Sequence, residues 1–153
     1  MANNGDDRYL AFKCVWIIEN FSYYLPWMKL KSPVFSVNCL RNTKWQLRIG
    51  FQCDLNPFYI TNELCREDDD TETPIDIEFE LSFLGKDDVP LAKQKTRGSF
   101  RAKDILGFNK FLELEEMTVR KRDFVPNGTL TARCLLWSTG TRSFAPGLCT
   151  IRS

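Results

Sequence analysis

The sequence predicts an all-β fold, an antiparallel sandwich of about seven or eight strands, and three observations predict it. Apolar and polar residues alternate with period two in four separate stretches, clusters of turn-forming residues divide those stretches, and helical periodicity is weak throughout. A strand that alternates in this way has one face to bury. Two sheets of such strands satisfy each other by packing their apolar faces together.

The first alternating stretch is FKCVWIIE, where Phe12, Cys14, Trp16 and Ile18 share one face, followed by Phe21. A short extended segment is expected over 34–37, and KWQLRIG repeats the alternation through Trp45, Leu47 and Ile49. Another extended segment is expected over 58–64. The most regular stretch is PIDIEFELSFLG, in which Ile75, Ile77, Phe79, Leu81 and Phe83 alternate with Asp76, Glu78, Glu80 and Ser82. Gly85, Lys86, Asp87 and Asp88 then supply a turn and VPLAKQKT restarts an extended run, which makes a hairpin. A strand over 107–114 follows. Asn127-Gly128 marks a turn before TLTARCLLW, whose Leu130, Ala132, Cys134 and Leu136 fall in phase. Short helical turns are expected only near 101–104 or 120–124. Phe12, Trp16, Ile18, Phe21, Phe35, Trp45 and Leu47 are assigned to the core, because burying a large apolar side chain contributes about 1.5–3 kcal/mol.

The 153 residues suffice for one domain burying about 70% of its unfolded surface, without help from disulfides. The folded part is expected over 9–137, preceded by a disordered stretch over 1–8. After Trp137 the composition turns to STGTRSFAPGLCTIRS, which reads as a tail or linker over 138–153. The opening MANNGDDRYLAF has neither the basic nor the apolar region of a secretory signal, and no stretch approaches the roughly 18 apolar residues of a membrane span. A cytoplasmic or nuclear protein with no membrane partner is therefore expected. Its six cysteines, Cys14, Cys39, Cys53, Cys65, Cys134 and Cys149, should then be reduced thiols, mostly filling the core. The acceptor patterns at Asn20 and Asn127 are set aside as sugar sites for the same reason.

Composition also bears on chemistry. The chain contains no histidine, which removes nucleophile–imidazole systems and histidine-ligated metal sites. No paired CxxC spacing and no glycine-rich phosphate loop occur. The acidic run CREDDDTETP lacks the glycine turn and closing glutamate of a calcium loop, and reads as a solvated connection between strands. These features predict no catalytic residues, no metal and no cofactor. The formal net charge of +1 likewise offers no field for nucleic acid. The basic residues Lys93, Lys95, Arg97, Arg101 and Lys103, with Arg120 to Arg122, are expected to be a solvated face.

The pattern F-x-x-x-W-x-I-x-N-F-S, formed by Phe12, Trp16, Ile18, Asn20, Phe21 and Ser22, resembles the start of a MATH (meprin and TRAF homology) domain. SPVF, KWQLRI, FELSFLG, GFNKF and GTLTARCLLW follow in the order of that family's landmarks, so the resemblance covers about residues 9–137. In WxIxNFS and GFxKF the chain is similar to the speckle-type POZ adaptor proteins. The resemblance implies a TRAF-like antiparallel β-sandwich that binds short segments of disordered partner proteins. In the speckle-type proteins, a following BTB/POZ domain delivers Ser/Thr-rich substrates to a Cullin-3 ubiquitin ligase. No BTB segment is found here, so the chain is expected to act as substrate receptor or competitor in such ligation, with Cullin-3 ligase components as partners only if a BTB domain is supplied elsewhere.

What the resemblance implies for a site is β-augmentation, in which an extended peptide pairs with a free strand edge while alternate side chains enter shallow pockets. The implied edge is DILGFNKF, 104–111, with Gly107 allowing close backbone approach. Phe79, Phe108 and Tyr59 match groove aromatics of the family. Leu106 stands where the family has a tryptophan, Asn109 where it has a lysine, and Gly98 where it has a tyrosine. Leu106 and Gly98 are expected to leave room for a bulky apolar peptide residue, and Asn109 to be less sensitive than lysine to acidic neighbours. By periodicity alone Phe79 is a core position, and Phe111, three residues beyond Phe108, takes the other face of the strand. A module that only self-associates, or a basic-face nucleic-acid binder, are the alternative readings.

Overall fold

A computed structural model describes residues 8–21, 29–52, 56–69, 73–139 and 146–153. Ser22, Cys53 and 70–72 of the acidic run lie outside the described residues, as does all of the amino-terminal stretch except Arg8, which opens the first strand. Two sheets pack face to face. One has the order β10-β1-β9-β6-β7, built from β1 (Arg8–Ile18), β6 (Ile75–Leu84), β7 (Pro90–Phe100), β9 (Leu130–Thr139) and β10 (Gly147–Arg152). The other runs β2-β4-β5-β8, from β2 (Leu30–Lys31), β4 (Thr43–Gln52), β5 (Tyr59–Arg66) and β8 (Ile105–Glu113), with the short β3 (Phe35–Val37) also paired to β4. The pairings are antiparallel except that of β1 with β10. The all-β sandwich is the fold the alternation predicts.

Alternation decides the faces. Ile75, Ile77, Phe79, Leu81 and Phe83 of β6 are buried, as are Leu130, Ala132, Cys134 and Leu136 of β9, which lies beside it. Trp16, Ile18, Trp45 and Leu47 are buried from the two sheets, with Phe12, Phe21 and Phe35 around them. Trp45 meets Phe100 edge to face with centroids 5.0 Å apart, and Phe12 stacks on Phe35 at 5.8 Å. A turn over Lys86–Asp88 closes the β6–β7 hairpin, and before β9 both Asn127 and Gly128 take positive φ, which these residue types tolerate.

Three expectations are corrected. The folded part does not end near Trp137: β9 continues to Thr139, and residues 147–152 of the expected tail form β10, parallel to β1. The reason is that Gly147, Cys149 and Ile151 alternate as strictly as any earlier strand, with Cys149 and Ile151 packed on the core. Ser153 then caps the arrangement, its hydroxyl accepting from the Trp16 indole N–H at 2.9 Å and its backbone pairing with Ile17 and Glu19. Second, the strand expected to reach Leu114 stops at Glu113, and a six-residue helix α1 (Leu114–Val119) follows, joined to α2 (Lys121–Phe124). Helices this short bury only Met117 and Phe124, too few positions to register a period. Third, the start of the acidic run is not merely solvated. Arg66, 1% exposed, donates from Nε and a terminal nitrogen to the two oxygens of Asp68, at 2.7 and 2.9 Å, and to the carbonyls of Thr73 and Phe100. Glu67 pairs with Arg48 and Lys103.

Candidate peptide-binding edge

β7 ends one sheet and β8 ends the other, and the two meet along one open side of the sandwich. β8 pairs with β5 on one side; among the described residues no strand lies on its other side. β8 begins at Ile105, while Asp104 belongs to the preceding turn and caps it, its carboxylate accepting from the Arg101 N–H at 2.8 Å.

Side chains from three strands line this seam. Phe79 of β6 is fully buried, with ring contacts to Phe100 at 5.7 Å and Phe108 at 6.1 Å. Phe108 is half-buried, its ring lying between Phe79 and the opening. Gly98 of β7 sits opposite Leu106 of β8 so closely that a Cβ at Gly98 would come within 2.5 Å of the Leu106 Cδ1. The room expected from this pair is thus already occupied, because Leu106 lies down into the place a larger residue at 98 would take. Gly107 does permit a close approach, but to its own sheet: a Cβ there would strike the Asn62 carbonyl oxygen and the Glu63 Cα. With Asn109 it faces outward and is exposed.

Tyr59 does not join this group. Along β5 the inward residues are Ile60, Asn62, Leu64 and Arg66, so Tyr59 falls on the outer face, where the Lys110 ammonium stands 5.6 Å from its ring centroid. Phe111 is corrected in the opposite sense. It is buried on the same side as Phe108, 6.2 Å from it and 4.9 Å from Phe83. The register explains this: Asn62 faces Phe108 and Ile60 faces Leu112, so β8 carries extra residues that re-phase it.

Two residues beside β8 had no signature in the sequence, one in the seam and one on the paired side. Gln94 of β7 donates its amide to the carbonyls of Phe111 at 3.0 Å and Lys110 at 3.3 Å, using part of the β8 edge and tying the sheets together. Asn62, in register with Phe108 and 2% exposed, carries a side-chain nitrogen with no hydrogen-bond partner. The basic residues nearby are largely matched by carboxylates: Lys95 and Arg97 lie 3.9 and 3.8 Å from Glu78, and Lys103 lies by Glu67 and Asp69. Lys95 also covers the Trp137 ring at 4.0 Å.

The fold is a two-sheet β-sandwich with β8 at the end of one sheet. The model of the MATH domain matches residues 13–136, and the chain belongs to the MATH domain family, a family of non-catalytic protein-interaction domains. The chain matches no curated protein.

Proposed function

We propose that this domain captures extended segments of partner proteins by β-augmentation along β8, with Phe108 as the apolar contact for an inward-pointing peptide side chain. The observation that carries the reading is the free β8 edge beside a half-buried aromatic ring. Backbone pairing would supply register and the seam would supply choice. Leu106 over Gly98 makes the seam shallow at one end, and Gln94 closes the other, so the selected segment has one apolar residue between small ones. In the speckle-type reading, the domain is the substrate-capturing part and recruitment of a Cullin-3 ligase falls to a BTB/POZ segment.

A peptide array drawn from disordered protein sequences, probed with the purified domain, tests the proposal. Phe108→Ala should weaken capture of the preferred motif by about tenfold or more, a loss of about 1.4 kcal/mol, while the melting transition stays cooperative. Leu106→Ala should shift the preferred motif toward a bulkier apolar residue. Equal capture by the wild type and a folded Phe108→Ala variant would reject the proposed site.

A further inference from the structure

Three cysteines stand side by side across the first sheet. Cys14 of β1 is in register with Cys149 of β10 on one side and with Cys134 of β9 on the other. All three are free thiols; Cys14 and Cys134 are buried, and Cys149 is half-buried because β10 is an edge strand. Cys14 lies in the core and Cys149 packs against it from the sheet edge, so the two side chains fall on the same, inner side of the sheet. Adjacent strands run about 4.8 Å apart, which lies within the Cα separation of about 4.4–6.8 Å that a disulfide spans. An open cavity of about 380 Å³ reaches Cys149, lined also by Phe12, Phe35, Cys39, Gly147 and Leu148.

We propose that Cys149 is a thiol-modification site for low-molecular-weight disulfides, and that Cys14 resolves the adduct into a Cys14–Cys149 bond that fastens β10 to β1. The Cys149 thiolate attacks one sulfur of a reagent such as oxidised glutathione; that S–S bond breaks, and the released thiolate takes a proton. Cys14 then loses its proton to solvent and attacks the Cys149 sulfur, expelling the second glutathione. Two protein thiols are oxidised and one reagent disulfide is reduced to two thiols.

The division of roles follows the environment. Burial and the neighbouring Cys149 push Cys14 up, and Cys149, half-buried at the sheet edge and lining the open cavity while Cys14 is fully enclosed, is the thiol a reagent reaches first. Cys134 is buried and raised by that burial. Resolution by Cys14 is the slower step and accelerates as pH rises.

The test is to treat the whole chain with oxidised glutathione and measure intact mass, a non-reducing peptide map and hydrogen exchange. The wild type should lose two hydrogens, join the Cys14 and Cys149 peptides, and slow exchange over 147–152 by about tenfold or more. Cys14→Ser should stop at a single glutathione adduct on Cys149, and Cys149→Ser should leave Cys14 reduced. Should Cys14→Ser not fold, the Cys149→Ser variant, altered at the sheet edge, carries the test. Reaction confined to Cys39 or Cys53, a Cys14–Cys134 or Cys39–Cys149 bond, or no reaction would overturn the proposal.

Discussion

Trp16 and Trp45 each carry an indole N–H into a dry interior, and each finds an oxygen there: Ser153 for one and Thr43, at 2.7 Å, for the other. Their burial was legible from alternation, but their partners were not, since Ser153 lies 137 residues from Trp16. Trp16→Ala should destabilise by about 3–5 kcal/mol, a large part of the stability a domain of this size has, measurable by urea unfolding. Arg66 gives a second prediction. An arginine at the end of a strand reads as surface, yet its guanidinium is enclosed with acceptors on Asp68, Thr73 and Phe100. Arg66→Ala would remove the enclosed guanidinium and its hydrogen bonds to Asp68, Thr73 and Phe100, and should cost about 3–5 kcal/mol in the same measurement.

At the scale of elements, three features depended on what lay beside them. β8 carries extra residues against β5, which brings Phe108 and Phe111 to one side although a regular strand would divide them. Gln94 and Leu106 close the two ends of the β7–β8 seam, and neither residue type announces that role. β10 is the clearest case, because a Ser- and Gly-rich composition read as a linker while Cys149 and Ile151 alternated beneath it. If β10 is integral, Ser153→Ala should cost about 1–3 kcal/mol by leaving the buried Trp16 donor without an acceptor, and removing 146–153 should cost more. Thermal unfolding of both variants checks this; no change in either would place β10 outside the cooperative unit.

For the whole molecule, one contribution to acid sensitivity lies where the second sheet meets its loop. Glu67 is held below the ordinary carboxylate range by the hydrogen bond from Cys65, with further help from Arg48 and Lys103, against a cost from burial. The Cys65 thiol, in turn, is pushed up to about 12 by burial and then by that carboxylate. A depressed carboxylate contributes stability that is full above its unfolded pKa of about 4.3 and is lost as pH falls through the lower folded value. Glu67→Gln should therefore flatten the decline of the urea midpoint below about pH 4, with little change in slope near neutrality.

The sequence by itself determined the sandwich and the inner face of its principal strands, because the direction of successive side chains is a local property of the pleat. It also placed the turns at 85–88 and 127–128, since positive φ is tolerated by few residue types. Only the tertiary structure decided which edges stay open, that Leu106 rather than a guest fills the space over Gly98, and that three cysteines far apart in the chain become neighbours. Strand order and register arise from pairing between distant segments, and a period of two is the same whichever neighbour a strand acquires.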